Sequence, residues 1–137
     1  MPSLASEAGS VQFPLVQHAS EVGWTVVSDT QALVKRRGEG GLFFYDDLQA
    51  ALVALNPGLI TSDNVNSVIN RLESIPNTIE GNREMLEWLR GNKTIYNECE
   101  KRHSNVRVID FENLANNHFH VTYEWAYRNG TKKGNRA

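Results

Sequence analysis

In HFHVTYEWAY, His118 to Tyr127, two histidines and a carboxylate, Glu124, fall on alternate residues. Alternate residues of a strand point the same way, and a strand can present metal ligands by that spacing. At a rise of about 3.3 Å per residue, Glu124 lies about 13 Å from His120, too far for one ion. The segment is therefore read as a solvated polar face. A metal module through His118 and His120 stands as a third reading of the chain, and no residue is assigned as a metal ligand.

Positive charge is gathered in two places. Lys35, Arg36 and Arg37 precede Gly38, and Lys132, Lys133 and Arg136 lie near the end of the sequence. Both runs can contact phosphates, and both also fit ordinary solvated loops. Glu39-Gly40-Gly41 lacks the lysine and hydroxyl of a phosphate-cradling loop, so Gly38 to Gly41 is read as a flexible loop. Asp110 and Glu112 follow a β-prone run, where catalytic carboxylates often stand, but DFENLANN reads first as turn and cap residues. Asp46 and Asp47 read as a helix start. Cys99, the only cysteine, lies between Glu98 and Glu100; these flanks disfavour a thiolate nucleophile, and an internal disulfide is excluded. No catalytic residue is assigned.

The elements that position these groups follow from periodicity. Leu15, Ala19 and Val22 mark a helix from Pro14 to Val22, with Gly23 at its exit. Trp24–Val27 and Ala32–Val34 read as short strands, separated by the polar residues 28–31. Leu48, Ala51, Leu52 and Leu55 form one helical stripe, stopped by Asn56-Pro57-Gly58. Val65, Val68, Ile69 and Leu72 form the next, closed by Pro76. A fourth helix spans Asn82 to Arg90, with Met85, Leu86 and Leu89 on its stripe, Trp88 in the core and Gly91 at the exit. Strands are expected at Thr94–Tyr96, Val106–Ile109 and Phe119–Tyr127. The last would bury Phe119, Val121, Tyr123, Trp125 and Tyr127, leaving His118, His120, Thr122, Glu124 and Arg128 in solvent. The fold class is α/β (α+β), with helices packed on a mixed β-sheet.

Composition bounds the function. The chain has 137 residues, is 40% hydrophobic, and carries a formal charge of −2, which exerts no global pull on nucleic acid. No run approaches the roughly 18 apolar residues of a membrane span, and residues 1–10 read as a flexible tail without the layout of a secretory signal. The lone cysteine fits a reducing cytoplasm. Residues 11–137 read as one domain or part of one. A sheet whose strongest strand comes last, followed by the turn-prone Asn129-Gly130, expects a further strand, so the chain is expected to be cut within a sheet.

Three stretches carry a family resemblance. FPLVQHASEVGW (Phe13 to Trp24), GLFFYDDLQAALVALNP (Gly41 to Pro57) and VIDFENLANNHFHVTYE (Val108 to Glu124) occur in order. They resemble the N-terminal nuclease domain of the R (HsdR) subunits of type I restriction enzymes. In the third, Asn117, Phe119 and Val121 match the family's Asn-x-Phe-x-Val. The resemblance implies the incomplete N-terminal portion of a restriction-endonuclease-like fold. The whole protein would be an ATP-dependent translocase and Mg²⁺-dependent DNA endonuclease of the prokaryotic cytoplasm, working with methylation (M) and specificity (S) subunits. Arg136-Ala137 looks like the Arg-x before the family's catalytic aspartate; that aspartate, the Glu-x-Lys and the later glutamine motif are absent. Gln12 or Gln17 stands where related nucleases carry a first-helix glutamate, and Glu21 comes about a turn late. The chain is thus expected to be inactive alone and to bind neither Mg²⁺ nor ATP. Lys35, Arg36, Arg37, Lys132, Lys133 and Arg136 are expected to contact the DNA backbone. The alternative is a small interaction module that pairs through its aromatic final strand.

Overall fold

A computed structural model describes residues 13–123 and Trp125. In chain order its elements are α1 (Phe13–Glu21), β1 (Thr25–Val26), α2 (Asp29–Lys35), α3 (Tyr45–Leu55), α4 (Val65–Glu73), α5 (Ile79–Leu89), β2 (Thr94–Asn97), β3 (Arg102–Asn105), a 3₁₀ turn (Leu114–Asn116) and β4 (His120–Val121). Helices with both parallel and antiparallel strand pairs make this an α+β chain. Two compact units are present: residues 13–45 with 118–123 and 125, and Asp46–Asn117. No helix among the described residues is long and apolar enough to cross a membrane. The tail at residues 1–10 lies outside the described residues, as do Gln12, Glu124, Tyr127 and Arg128.

In the first unit, α1 packs against β1 and β4. Its exit needs a left-handed residue: Gly23 has φ +103°, the Gly23 N–H reaches Ser20 O and the Trp24 N–H reaches Ala19 O, so the last carbonyls are satisfied. β1 and β4 are parallel, with Thr25 opposite His120 and Val26 opposite Val121. The Thr25 N–H donates to Phe119 O and the Val27 N–H to Val121 O, both at 2.8 Å. The closing strand therefore pairs with a segment far upstream. Its ladder is shorter than the alternation suggests: His120 and Trp125 both pack on Phe44, whereas residues five apart in an unbroken strand would face opposite ways.

The strand expected at Ala32–Val34 is helix. Ser28 Oγ accepts from the Gln31 N–H, and Gln31 Oε1 accepts from the Ser28 N–H, a reciprocal cap that starts α2. That bonding outweighs the modest β preference of Leu33-Val34, and Ala32 becomes the buried residue of the helix.

The second unit follows its stripes closely in α4, where Val65, Val68, Ile69 and Leu72 are all buried. In α3, Leu52 is fully buried. α5 begins at Ile79 rather than Asn82 because Thr78 Oγ1 caps the Gly81 N–H at 3.0 Å. A Cβ on Gly81 would sit 1.8 Å from Pro76 O, so this first turn admits only glycine. Trp88 is buried as expected, but Leu86 and Leu89 are exposed; the inward line runs through Gly81 and Trp88.

β2 and β3 form an antiparallel hairpin, Thr94 opposite Asn105 and Asn97 opposite Arg102. The strand expected at Val106–Ile109 is displaced toward the N-terminus. Val106 is fully buried and its N–H reaches Lys93 O, but the chain then leaves the ladder. Asn56 takes it over: its Nδ2 donates to Arg107 O and its Oδ1 accepts from the Arg107 N–H, at 2.8 and 2.7 Å. One amide side chain thus reproduces a strand bridge, which no hydrophobic pattern encodes.

Candidate nucleic-acid interface

The basic run Lys35-Arg36-Arg37 closes α2, where the helix dipole favours cations. Each of the three side chains stands over a different aromatic ring: Lys35 Nζ lies 5.8 Å from the Phe44 centroid, the Arg36 guanidinium 4.1 Å from Trp125, and the Arg37 guanidinium 5.1 Å from Tyr45. Phe44 stacks on Trp125 at 5.5 Å and 24°.

Their surroundings differ. Arg36 is 3% exposed; its Nε donates to Gly41 O at 3.1 Å and its Nη2 to Glu39 O at 2.9 Å. It therefore organises the loop from Gly38 to Gly41 from inside. Gly41 completes that contact, since a Cβ there would sit 1.7 Å from Arg36 O. The loop read as flexible from its glycines has an internal cationic brace. Arg37 is exposed and left-handed, φ +59°, with its N–H on Val34 O and the next N–H, of Gly38, on Leu33 O. This is the same helix exit as at Gly23, with arginine where glycine is favoured. Lys35 is half-buried.

His120 joins this corner from β4, its ring 6.0 Å from Phe44 and 6.4 Å from the ring of His118. Among the described residues, no group of three or more His, Cys, Asp or Glu could hold a metal ion. Lys132, Lys133 and Arg136 lie outside the described residues. Gln17 and Glu21 lie on the exposed face of α1, with Gln17 Nε2 3.4 Å from Glu21 Oε1.

Asp110, in the other unit, is a turn residue. Its Oδ1 accepts from the N–H groups of Asn113 (2.9 Å) and Glu112 (3.0 Å), and its Oδ2 from Asn116 Nδ2 (2.9 Å). The Asn113 amide first, then Asn116, Glu112 and the Arg107 charge, hold the carboxyl below the usual carboxylate range against the opposing effect of burial. Asn117 closes the turn by exchanging hydrogen bonds with the backbone N–H and C=O of Asp110, both at 2.8 Å. The distinctive Asp-Phe-Glu-Asn…Asn-Asn stretch is thus a self-contained knot.

The described aromatic residues of the final segment, Phe119, Tyr123 and Trp125, are engaged within their own unit. Phe119 packs on Trp24 at 5.3 Å and Tyr123 on Phe13 at 5.5 Å, while Trp125 carries Phe44 and Arg36. The rings that seat the basic run were missed in the sequence; the consecutive Phe43-Phe44-Tyr45 was the available signal.

The architecture is that of an α+β chain with a basic–aromatic corner. Residues 5–137 match the family described as type I restriction enzyme R protein N terminus, and the chain belongs to that family. No curated protein and no solved structure gives a significant match.

Proposed function

We propose that this chain forms part of the DNA endonuclease domain of a type I restriction enzyme R subunit, supplying scaffold and backbone contacts rather than the metal-binding cluster. The family match over residues 5–137 carries this reading. The corner where Lys35 and Arg37 rest on aromatic rings supports it, because a ring face holds each cation in a fixed place beside the loop from Gly38 to Gly41. Arg36 positions the loop, and Lys35, Arg37, Lys132, Lys133 and Arg136 make the contacts. The whole protein would hydrolyse DNA with Mg²⁺, couple this to ATP-driven translocation, work in the prokaryotic cytoplasm and assemble with M and S subunits. Without the aspartate and Glu-x-Lys, the 137-residue chain does not cleave.

The test is duplex binding by the chain across a salt series. Each phosphate neutralised contributes about −0.9 to the slope of log K against log salt, so five contacts give an expected slope of about −4.5. Replacing Lys35 and Arg37 together by glutamine should reduce its magnitude by about 2. A slope unaffected by those changes would remove the basic run from the interface. Mg²⁺-dependent nicking that survives repurification would overturn the non-catalytic assignment.

A further inference from the structure

Among the described residues, β2 is paired on one edge only. The Val106 N–H donates to Lys93 O, which fixes the alternation of this antiparallel ladder. Residues 93, 95 and 97 turn their backbone groups to β3, and Thr94, Tyr96 and Glu98 turn theirs away. One outward group is taken from the helix side, where Arg71 Nη1 donates to Thr94 O at 3.2 Å. The N–H and C=O of Tyr96 have no hydrogen-bond partner among the described residues, and the residue is 50% exposed. A groove of about 660 Å³ lies along this edge, with Ser67 and Arg71 of α4 on one wall and Tyr96 and Glu98 on the other. Its ends differ in charge. Arg71 stands at the Thr94 end. Glu98 lies four residues along the chain, about 13 Å away, and Asp63 lines the groove about two helical turns before Arg71. Among the described residues, none of these three charged side chains has an ion pair.

We infer that this edge receives an extended peptide segment of a partner protein as a third, antiparallel strand, its cationic side chain at Glu98 and an acidic one, four residues later, at Arg71. An open strand edge is a template for such addition, and antiparallel pairing is the more stable order per residue. The central residue of the guest exchanges both hydrogen bonds with Tyr96. The residue two before it then lies opposite Glu98, and the residue two after it lies opposite Thr94, beside the Arg71 guanidinium. Backbone donor and acceptor side by side at Tyr96 match a peptide. A nucleic-acid strand has no such pair to return, and its phosphates would be repelled by Asp63 and Glu98. The inference is therefore independent of DNA contacts made by the first unit. The two charged ends set the direction of the guest as well as its composition.

The probe is a blocked, fluorescently labelled heptapeptide, Thr-Lys-Thr-Val-Thr-Glu-Thr, titrated with the 137-residue chain. It should bind about tenfold more tightly than the charge-reversed Thr-Glu-Thr-Val-Thr-Lys-Thr, because both ends change from attraction to repulsion. N-methylation of the valine removes the donor to Tyr96 O and should weaken binding by about tenfold. Glu98→Lys, at an exposed turn position, gives each peptide one attractive and one repulsive end and should abolish the preference. In the NMR spectrum of the wild-type chain, the matched peptide should shift the Tyr96 amide signal and slow its hydrogen exchange. Equal binding of the two charge orders, binding that survives N-methylation, or no binding of either peptide at millimolar concentration overturns the inference. A Tyr96 amide that is protected in the free chain and loses protection on dilution would place a second copy on this edge, and would overturn it too.

Discussion

Arg36 and Asp110 are both charged, both buried, and one lies in each unit of the molecule. Arg36 is held by the carbonyls of Glu39 and Gly41 and by the face of Trp125; Asp110 is held by amides of Glu112, Asn113 and Asn116. A buried charge is costly unless hydrogen bonds replace water, and each region meets that need with groups of the opposite polarity from its own loop. The partners differ in reach. Those of Asp110 all lie within seven residues, so the turn is closed by its own segment. Arg36 bonds its own loop over three and five residues but also stacks on Trp125, 89 positions away, so that contact forms only when the chain ends of the first unit meet. A local motif can be read from sequence, and a long-range one has to be built.

The comparison can be broken most severely at Arg36. Arg36→Ala leaves two carbonyls without their donor and removes the ring contact, and should cost about 3 kcal/mol in urea unfolding. Arg36→Lys should recover only part of this, because an ammonium cannot repeat the fork. Asn56→Ala tests a third bridging side chain, one that reaches 51 residues along the chain to Arg107. Losing these two hydrogen bonds and a third, from Asn56 Nδ2 to Leu52 O, at a buried position should cost about 3 kcal/mol, read as a lower urea midpoint at unchanged slope.

Acid distinguishes the two charges. Asp110 is held below its ordinary value of 3.8, so its contribution is fully present above that value and is lost as pH falls through the lower folded-state value. Thermal melts between pH 5 and pH 2 should show the decline in wild type and a shallower one in Asp110→Asn. Equal slopes would mean that the knot contributes nothing through its charge. Arg36 has no transition in that range.

The smallest effect on stability is expected at Arg37. Arg37→Gly relieves the left-handed strain at φ +59°, which offsets the looser unfolded chain and the lost side-chain interactions, the Tyr45 contact among them, so stability should change by less than about 1 kcal/mol. Duplex affinity should nevertheless fall several-fold. A variant that unfolds, or one that binds DNA normally, would show that Arg37 serves the fold rather than the interface.

The helical stripes of α3 and α4 were legible because each buries one face of a single continuous element, and 3.6-residue spacing reports that directly. α2 was misread although Ser28-x-x-Gln31 spelled its cap, because Leu33 and Val34 also suit a strand and seven residues show little periodicity. Val106–Ile109 was misread for another reason: Val106 is buried beside the hairpin, but at Arg107 the backbone bonds the Asn56 side chain instead of a neighbouring strand. At the candidate site, the cations were visible as a run, but their division into a buried brace and two less buried side chains on separate rings was not.

The sequence by itself determined the helical faces of α3 and α4, the Asp110 turn and the family, because each is a property of neighbouring residues or of a continuous pattern. Only the tertiary structure decided that β4 runs parallel to β1, and that Arg36 points inward while Lys35 shares an aromatic seat with His120. Those outcomes depend on residues roughly 80 to 95 positions apart, and a sequence pattern carries no distance between them until the backbone closes that loop.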